Sequence, residues 1–230
     1  MQELSPWLVC ALACAVSYAV CGVPFGKIIA ARMAHVDLQK VGSGNIGTTN
    51  ALRAGGPKVA ALTLACDVLK GVICVLAFRA VLAAVCFAGD AGQVAPGGAA
   101  DAPVAVVALA CVVGHMFSPY LHFRGGKSIA VGVGVLFGIS APWALAHLAI
   151  FIVLVAATRI VSVGSIATAA LVGVTACVAF PDASLAFKLI MAALGLLVVW
   201  AHRGNIAKLR RGTESRLSFS KRVDKMDDAS

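Results

Sequence analysis

Long, uninterrupted apolar runs constrain the fold of this chain more than any other feature of its sequence. A helix of about 20 apolar residues can cross a bilayer. Only 13% of the 230 residues are charged, which is too few to coat a soluble domain of ordinary composition. We therefore predict an all-α, polytopic membrane protein. The apolar runs occupy residues 4–26, 59–89, 103–121, 129–157, 160–180 and 185–201.

One of these runs is expected to form two spans rather than one. Residues 129–157 are interrupted by Ser140, Ala141 and Pro142, and because proline breaks helices we expect two short spans there. The first run has no positive segment before it and its first charge is Glu3, which indicates a retained span rather than a cleaved signal peptide. The sequence thus predicts seven transmembrane helices.

The placement of basic residues predicts the topology. Cytoplasmic loops of membrane proteins are rich in Lys and Arg. All the basic residues except Lys70, Arg79 and Lys188 fall on one side of the seven-span arrangement. This side is therefore expected to be cytoplasmic, with the N-terminus outside and the C-terminus inside. We expect one membrane-integral domain, residues 1–230, whose segment 201–230 is basic and cytoplasmic.

The net charge of +9 follows from the same pattern. Basic residues at the inner surface attract anionic lipid head groups and anionic substrates. No aromatic residues are interleaved with the basic ones in a pattern typical of nucleic-acid binding, so nucleic acid is not expected as a partner. The eight cysteines lie inside apolar runs without C-x-x-C spacing, and we predict neither a disulfide framework nor a structural metal.

The first polar motif reads DLQKVGSGNIGTTNALRAGG and spans residues 37–56. Glycines let a backbone approach a ligand closely and present its amides, and an arginine fork fits a phosphate. The motif therefore predicts an anion site just before a spanning helix. The alternative is a flexible polar loop between two helices. The residues expected to contact the anion are Ser43, Gly44, Asn45, Asn50 and Arg53.

Two nucleotide-binding patterns occur here only in part. Residues 42–47 match G-x-G-x-x-G, but a dinucleotide site needs a preceding strand and a βαβ unit, where this chain has apolar spans. Gly126, Lys127 and Ser128 resemble the end of a P-loop, but Leu121 occupies the position of its first glycine. Neither pattern predicts a nucleotide site, and no cofactor is expected.

The second polar motif reads GHMFSPYLHFRGGKSIAVGVG and spans residues 114–134. A helix N-terminus offers unpaired amides and a partial positive charge to a phosphate, and the lysine adds a full charge. His122 is interpreted as an interfacial residue, whereas packing and a role in a site stay equally open for His115. The candidate substrate-binding residues here are His115, Gly125, Gly126 and Lys127.

Two further polar motifs lie at the inner ends of the last two spans. The motif TRIVSVGS offers Ser162 and Ser165 as ligands, with helix-capping serines beside a basic anchor as the alternative. The motif HRGNIAKLRRGTE offers His202, Arg203 and Asn205, with an amphipathic tail on the lipid surface as the alternative. Both motifs extend the polar set on the predicted cytoplasmic side.

One pair of opposite charges lies inside an apolar run. Asp67 and Lys70 are three residues apart, on one face of a helix. Each charge at the centre of a spanning helix costs roughly 2.5–3.5 kcal/mol on insertion scales. Two interpretations stay open: the residues form a structural pair, or they face a cavity in which chemistry takes place.

Together, and in this order, the motifs resemble those of the bacterial acyl-phosphate-dependent glycerol-3-phosphate acyltransferases, over about residues 21–214. GSGNIGTTNALRAGG resembles the first motif of the family and GHMFSPYLHFRGGK the second; TRIVSVGS and HRGNIAKLRRGTE resemble later blocks. The resemblance implies a seven-helix enzyme that transfers a fatty acyl group from acyl phosphate to the 1-hydroxyl of glycerol 3-phosphate. The products would be lysophosphatidic acid and phosphate, in the first step of phospholipid biosynthesis.

The resemblance also implies a location and partners. The protein would lie in the bacterial cytoplasmic (inner) membrane, in contact with membrane lipid, with its active site facing the cytoplasm. Family members use neither acyl-CoA nor acyl carrier protein as donor, so a soluble enzyme that makes acyl phosphate is implied. This chain departs from the usual family pattern at Ser118, Ser128, Val131 and Gly204, where the family has Pro, Gly, Thr and Glu.

Each substrate of such a reaction carries a phosphate, and the two glycine loops offer two places to hold them. The resemblance favours Lys127 for glycerol 3-phosphate, helped by Arg53 and Asn205, although which loop takes which phosphate stays open. His202 is the candidate general base; alternatively the phosphate of the substrate takes the proton. The competing functions are a membrane transporter for a phosphorylated small solute and a lipid-binding membrane scaffold.

Overall fold

The computed structural model describes residues 5–217, and its regular structure over that range is helical. Short loops and two 3-10 turns, Ala91–Val94 and Pro119–Leu121, connect nine α-helices within this range. Glu3 and residues 218–230 of the predicted basic segment lie outside it. The helices are α1 Pro6–Gly22, α2 Phe25–Ala34, α3 Thr48–Cys86, α4 Asp101–Met116, α5 Ile129–Ile139, α6 Ala141–Thr158, α7 Val161–Ala179, α8 Leu185–Ala201 and α9 Arg203–Arg210.

Several helical stretches of the described chain are long and apolar enough to cross a membrane. A further one is gained if α8 and α9, which meet at a bend of 56°, form one broken span. The helix α5 is apolar, but with 11 residues it is too short to cross alone. The all-helical, polytopic prediction is confirmed for residues 5–217, whereas the count of seven and the side of each terminus stay predictions. The five stretches that qualify without this pair are Pro6–Ala34, Thr48–Cys86, Asp101–Leu121, Ala141–Thr158 and Val161–Ala179.

The break predicted near Pro142 is present, and it shortens α5. Helix α5 ends at Ile139 and α6 begins at Ala141, with the proline in the first turn of α6, where its missing amide leaves no hydrogen bond unmade. Arg79 of α3 donates from Nη1 to Gly138 O (2.7 Å) and to Ile139 O (2.9 Å). This contact satisfies carbonyls that the end of a helix leaves without partners.

Each basic residue that departed from the predicted charge asymmetry has a partner in the fold. Arg79 caps α5, as described above. Lys188 donates to Pro181 O at 2.6 Å, and Lys70 Nζ lies 2.8 Å from Asp67 Oδ1. These three residues are therefore placed by local contacts rather than by the sidedness of the loops.

The first polar motif is partly helical, whereas the sequence predicts a loop that is followed by a helix from about residue 59. Helix α3 begins eleven residues earlier, at Thr48, so Asn50 and Arg53 lie in its first turns. The helical path is interrupted at Gly56, whose φ of 82° is in the left-handed region that glycine tolerates, and Pro57 starts the next helical segment. The Gly-Pro pair is thus a kink inside one long helix.

Close packing of α3 on α5 depends on glycine. A Cβ atom added at Gly134 of α5 would lie 2.1 Å from Val68 O of α3, and one at Gly71 of α3 would lie 2.6 Å from Val131 O of α5. The two backbones can therefore touch only because both positions lack a side chain. This contact fixes one wall of the cavity described below.

The starts of α4 and α8 are tied together at the end of the fold opposite the polar motifs. The buried Asp101 carboxylate accepts a hydrogen bond from the backbone N of Ser184 (2.7 Å) and another from its Oγ (2.6 Å). Ser184 also caps α8, since its Oγ accepts from Phe187 N. The polar motifs, at the other end of α4 and α8, border a cavity that is lined by α3 and α5–α8.

Candidate active site

A cavity of about 770 Å³ lies between α3, α5, α6, α7 and α8. It has two chemically different ends. Side chains of the predicted motifs gather at one end, and the other is lined mainly by apolar residues. The polar lining includes Ser43, Asn45, Asn50, Arg53, Asp67, His115, Lys127, Ser162, Ser165, His202, Asn205 and Glu214; the apolar lining includes Leu136, Phe137, Leu148, Phe151, Val172, Leu194 and Val198.

A chain of hydrogen bonds organises the polar end. Lys127 Nζ donates to Asn205 Oδ1, and Asn205 Nδ2 donates to Glu214 Oε1 at 2.7 Å. Ser162 Oγ donates to the same carboxylate oxygen at 3.0 Å. The chain joins the loop before α5 to the start of α7, to α9 and to the segment after α9. Residues far apart in the sequence thereby form one polar surface.

Three cations line this end of the cavity: Arg53, Lys127 and Lys208 of α9. Arg53 is exposed on the first turns of α3, and Lys127 is partly buried in the loop before α5. Burial lowers the pKa of Lys127 and the nearby Glu214 carboxylate raises it, while Lys208 and Arg53 lower it further. An ammonium that has two of its three donors left over, beside a guanidinium fork, is a suitable partner for a phosphate.

His202 lies between α8 and α9 and is buried against the cavity. Its Nδ1 is 2.8 Å from Val198 O, and because a carbonyl can only accept, the proton is assigned to Nδ1. In the neutral ring Nε2 is then the acceptor. A histidine held in this way can take a proton from a bound hydroxyl group.

Asn50 holds the first motif in shape. Its Nδ2 donates to Leu38 O (3.0 Å), Val41 O (3.1 Å) and Asn45 O (2.9 Å), and its Oδ1 accepts from Ser43 N (3.0 Å). The side chain borders the cavity, but its polar atoms are occupied by the backbone of its own loop. Asn50 therefore stabilises the conformation of residues 38–50 and is not free to bind a ligand with these atoms.

The glycine loops differ from the expectation that their amides point at a ligand. Gly44 N donates to Val41 O and Gly47 N to Asn45 Oδ1, so these amides bond within the first loop. Gly125 N donates to Met116 O and Gly126 N to His115 O, at the end of α4. The anion-binding groups exposed to the cavity are therefore side chains more than backbone amides.

The two glycines before Lys127 serve close packing. A Cβ atom at Gly125 would lie 1.9 Å from His115 O, and one at Gly126 would lie 2.1 Å from His115 Nε2. Ser128, which follows Lys127, has a left-handed φ of 59° and donates from Oγ to Val112 O at 2.8 Å. These contacts press the loop against α4 and so position Lys127.

Asp67, Lys70 and His115 form a buried cluster, which answers the question left open by the sequence. Lys70 Nζ lies 2.8 Å from Asp67 Oδ1 and 3.0 Å from His115 Nδ1, and it donates to Val23 O at 3.0 Å. Asp67 and His115 border the cavity, whereas Lys70 lies behind them. The charges are thus a structural pair and, through Asp67, also part of the cavity wall.

The two predicted serines of the third motif line the cavity. Ser162 and Ser165 lie inside α7, whose N-cap is Ile160, so neither serine caps that helix.

Most of the predicted site residues line the cavity, but four do not. Arg203 is exposed and packs on Trp200, with its guanidinium 4.1 Å from the ring centroid, away from the cavity. The predicted residues that do not line the cavity are Gly44, Gly125, Gly126 and Arg203.

Several residues of the site were not singled out from the sequence. Glu214 lies in the segment predicted to be basic, yet it is the single acidic residue between positions 203 and 217, and that isolation is a signal in the sequence. His147 and Thr168 are not among the predicted site residues, although each is a polar residue inside an apolar run. Both lie in the cavity wall, farther from the polar end.

The described residues contain one group of side chains with metal-binding geometry. The sulfur atoms of Cys21, Cys74 and Cys111 lie within 4.8 Å of one another. They belong to α1, α3 and α4 and are buried away from the cavity lining. The absence of a structural metal stays a prediction.

Comparison with known proteins gives consistent results. Residues 11–212 match the family described as glycerol-3-phosphate acyltransferase. A glycerol-3-phosphate acyltransferase of Anaeromyxobacter sp. (strain K) is 39% identical over 219 residues, covering 93% of this chain and all of that protein. One from Geobacter sulfurreducens is 40% identical over 203 residues, covering 88% of this chain and 94% of that protein.

Two solved structures share the fold. The crystal structure of PlsY (YgiH), an integral membrane glycerol 3-phosphate acyltransferase, in its glycerol 3-phosphate form, has a TM-score of 0.78 and 31% identity, covering 91% of this chain and 96% of that one. Its lysophosphatidic acid form has a TM-score of 0.76 and 30% identity, covering 91% and 95%.

Proposed function

This chain belongs to the glycerol-3-phosphate acyltransferase family, and from that premise we propose that it transfers a fatty acyl group from acyl phosphate to the 1-hydroxyl of glycerol 3-phosphate. The enzyme is a membrane-integral acyltransferase of phospholipid biosynthesis. The products of the proposed reaction are lysophosphatidic acid and inorganic phosphate, and no cofactor takes part. Family membership leaves no need for a transporter or a lipid scaffold as the explanation.

One observation carries the proposal: a single cavity joins a cationic end to an apolar end. Arg53 and Lys127 border the first, and residues such as Phe151 and Val172 border the second. An acyl phosphate has the same division between an anionic head and an alkyl chain, and glycerol 3-phosphate adds a second anion. Both substrates can thus meet where the polar lining gives way to the apolar lining.

The proposed reaction is an acyl transfer. The 1-hydroxyl oxygen of glycerol 3-phosphate attacks the acyl carbonyl carbon and forms the new C–O ester bond. The C–O bond to the phosphate then breaks, and phosphate leaves with the electron pair. Phosphate is a good leaving group, so positioning and charge stabilisation supply most of the catalysis. Lys127 and Arg53 are the proposed partners of the phosphate charge.

The proton of the attacking hydroxyl is proposed to pass to His202. Its Nδ1 is held by Val198 O, which leaves Nε2 as the acceptor. We assign Lys127, with Asn205, to the phosphate of glycerol 3-phosphate, and Arg53 to the same polar end. If the phosphate of the substrate takes the proton instead, replacement of His202 by Asn will alter substrate affinity more than turnover.

The proposed location is the bacterial inner membrane, with the polar end of the cavity facing the cytoplasm. Arg53 and Lys127 line that end, and Arg124 and Arg159 lie in the chain segments just before α5 and α7, which supports a cytoplasmic side because cytoplasmic loops prefer basic residues. Glycerol 3-phosphate would enter from the cytoplasm. Acyl phosphate, an amphiphile made by a soluble partner enzyme, would enter from the membrane.

Purified protein in detergent tests the proposal. With palmitoyl phosphate and glycerol 3-phosphate we expect phosphate and lysophosphatidate in equal amounts. With palmitoyl-CoA or palmitoyl acyl carrier protein as donor we expect no product. Turnover with either of these donors, but none with acyl phosphate, would contradict the proposed donor.

A further inference from the structure

A histidine lies among the residues that line the apolar part of the cavity. Among the α6 residues that line the cavity, His147 lies closest to the start of that helix; the others are Leu148, Phe151 and Val155. Helix α6 ends at Thr158, next to the start of α7, which carries Ser162 of the polar end. His147 precedes Thr158 by eleven residues, a distance of about 16 Å along a helix.

Both ring nitrogens of His147 are engaged. Nδ1 lies 3.0 Å from Trp143 O, and Nε2 lies 3.1 Å from Thr175 Oγ1. The residue is 3% exposed. With neither nitrogen free, the ring has no group left to bind a phosphate or to accept a proton from a substrate. Its contribution to the cavity is therefore its shape.

The ring has firm support behind it. Trp143 meets His147 edge to face, with centroids 5.3 Å apart, and Trp143 Nε1 donates to Thr175 Oγ1 at 3.0 Å. Trp143 in turn packs edge to face on Phe180 at 5.2 Å. We call His147, Trp143 and Thr175 the floor of the cavity. Because aromatic contacts and hydrogen bonds join these three residues to one another and to Phe180, a ligand cannot easily displace the imidazole ring.

On the basis of the proposed function, we propose that His147 limits the length of the acyl chain that the enzyme accepts. An extended alkyl chain advances about 1.25 Å per carbon, given C–C bonds of about 1.5 Å and angles near 111°. About thirteen carbons therefore span the distance from the level of Thr158 to the floor. Longer chains must bend or leave the cavity sideways, and His147 is the group that they meet.

Replacement of His147 by Ala tests this role with little damage to the fold. The bond between Trp143 Nε1 and Thr175 Oγ1 remains, and the space of the imidazole ring becomes available to the chain. The quantity to measure is kcat/KM for a homologous series of saturated acyl phosphates with chains shorter and longer than about thirteen carbons. The ratio of kcat/KM for long chains to that for short chains should rise roughly tenfold or more, the usual discrimination for methylene groups in an apolar pocket.

Two further variants separate volume from polarity and from general effects. His147→Phe fills similar space without hydrogen bonds, so its chain-length profile should match the wild type. Leu145→Ala removes a side chain from the lipid-facing side of the same helix, where Leu145 is 55% exposed; it too should match the wild type. A shift in His147→Phe as large as that in His147→Ala overturns the proposal.

A second readout does not depend on the acyl donor. It is the binding of lysophosphatidates of the same chain lengths, measured as the rise in melting temperature that each one causes. If the wild type turns over no acyl phosphate, the proposed function fails, yet binding still tests the floor. If the wild type is active and His147→Ala changes neither profile, only the floor proposal fails. Should His147→Ala not fold, His147→Val must show a smaller shift in the same direction, and an unchanged profile there also overturns it.

Discussion

Lys127 Nζ donates a hydrogen bond to Asn205 Oδ1, and this contact links the loop before α5 to α9. Both residues line the polar end of the cavity. The position of the lysine therefore depends on a helix that begins 76 positions later in the chain, and through Asn205 on the carboxylate of Glu214. The phosphate-binding geometry is thus a property of the assembled fold rather than of one loop.

The Glu214 carboxylate should contribute to stability as well as to the site. In Glu214→Ala the donors of Asn205 and Ser162 lose their shared acceptor, so we expect a loss of about 1–3 kcal/mol in the free energy of unfolding. Thermal unfolding in detergent measures it. In a double-mutant cycle with Ser162→Ala the two losses should be less than additive. Fully additive losses would show that the Ser162–Glu214 bond contributes nothing.

Replacement of Asn50 by Ala should destabilise the first motif. The two N–H donors and the Oδ1 acceptor of Asn50 serve four backbone groups, so we expect a loss of at least about 3 kcal/mol, given about 1–3 kcal/mol for each of these three buried hydrogen-bonding groups. Asn50→Asp should be no better, because it places a carboxylate oxygen against three carbonyls that need a donor. An Asn50→Ala protein with unchanged melting temperature and activity would contradict this role.

Arg79 should stabilise the fold from outside the active site. Arg79→Ala leaves Gly138 O and Ile139 O at the end of α5 without a donor, and we expect a loss of about 1.5–3 kcal/mol, as for hydrogen bonds to charged groups. Thermal unfolding provides the measurement, with Lys188→Ala as the control. Lys188 makes a single bond to a loop carbonyl, so its replacement should have a much smaller effect.

The activity should depend on pH through Lys127. Burial lowers the pKa of this lysine, an effect that the Glu214 carboxylate partly opposes. Because the protonated amine binds phosphate, kcat/KM should fall as the pH rises through this lowered pKa, earlier than for an exposed lysine. In Lys127→Arg the guanidinium stays charged, so the basic limb should move to higher pH. An identical basic limb in both proteins would assign it to another group.

Some of this architecture could be predicted from local sequence. The break between α5 and α6 follows from Pro142, because proline lacks an amide and its effect needs no distant partner. The start of α3 could not be predicted in the same way. Gly56 and Pro57 have the composition of a helix end, yet the left-handed φ of the glycine lets one helical segment follow another. Ala51 and Val59, on either side of this kink, belong to one buried cluster with Ala30 of α2, a contact that local sequence does not reveal.

The site shows the same division. The position of Arg53 and Lys127 at the site could be predicted because each follows a glycine-rich polar stretch beside an apolar span, and that of His202 because it stands with Arg203 and Asn205 where the last apolar run ends. The part played by Asn50 could not, since its four hydrogen bonds exist only after residues 38–50 fold back on α3. Glu214 likewise acquires its role when the segment after α9 returns to α7, where Leu217 N donates to Arg159 O.

The central claim is that the polar end of the cavity binds the phosphate of a substrate through Lys127. Its most direct test is kcat/KM for glycerol 3-phosphate in Lys127→Ala, beside Lys58→Ala, which removes an exposed cation that does not line the cavity. We predict a loss of roughly 100- to 1,000-fold in Lys127→Ala, the usual range for a charge-stabilising donor, and wild-type values in Lys58→Ala. Equal kcat/KM values in both variants and the wild type would contradict the claim.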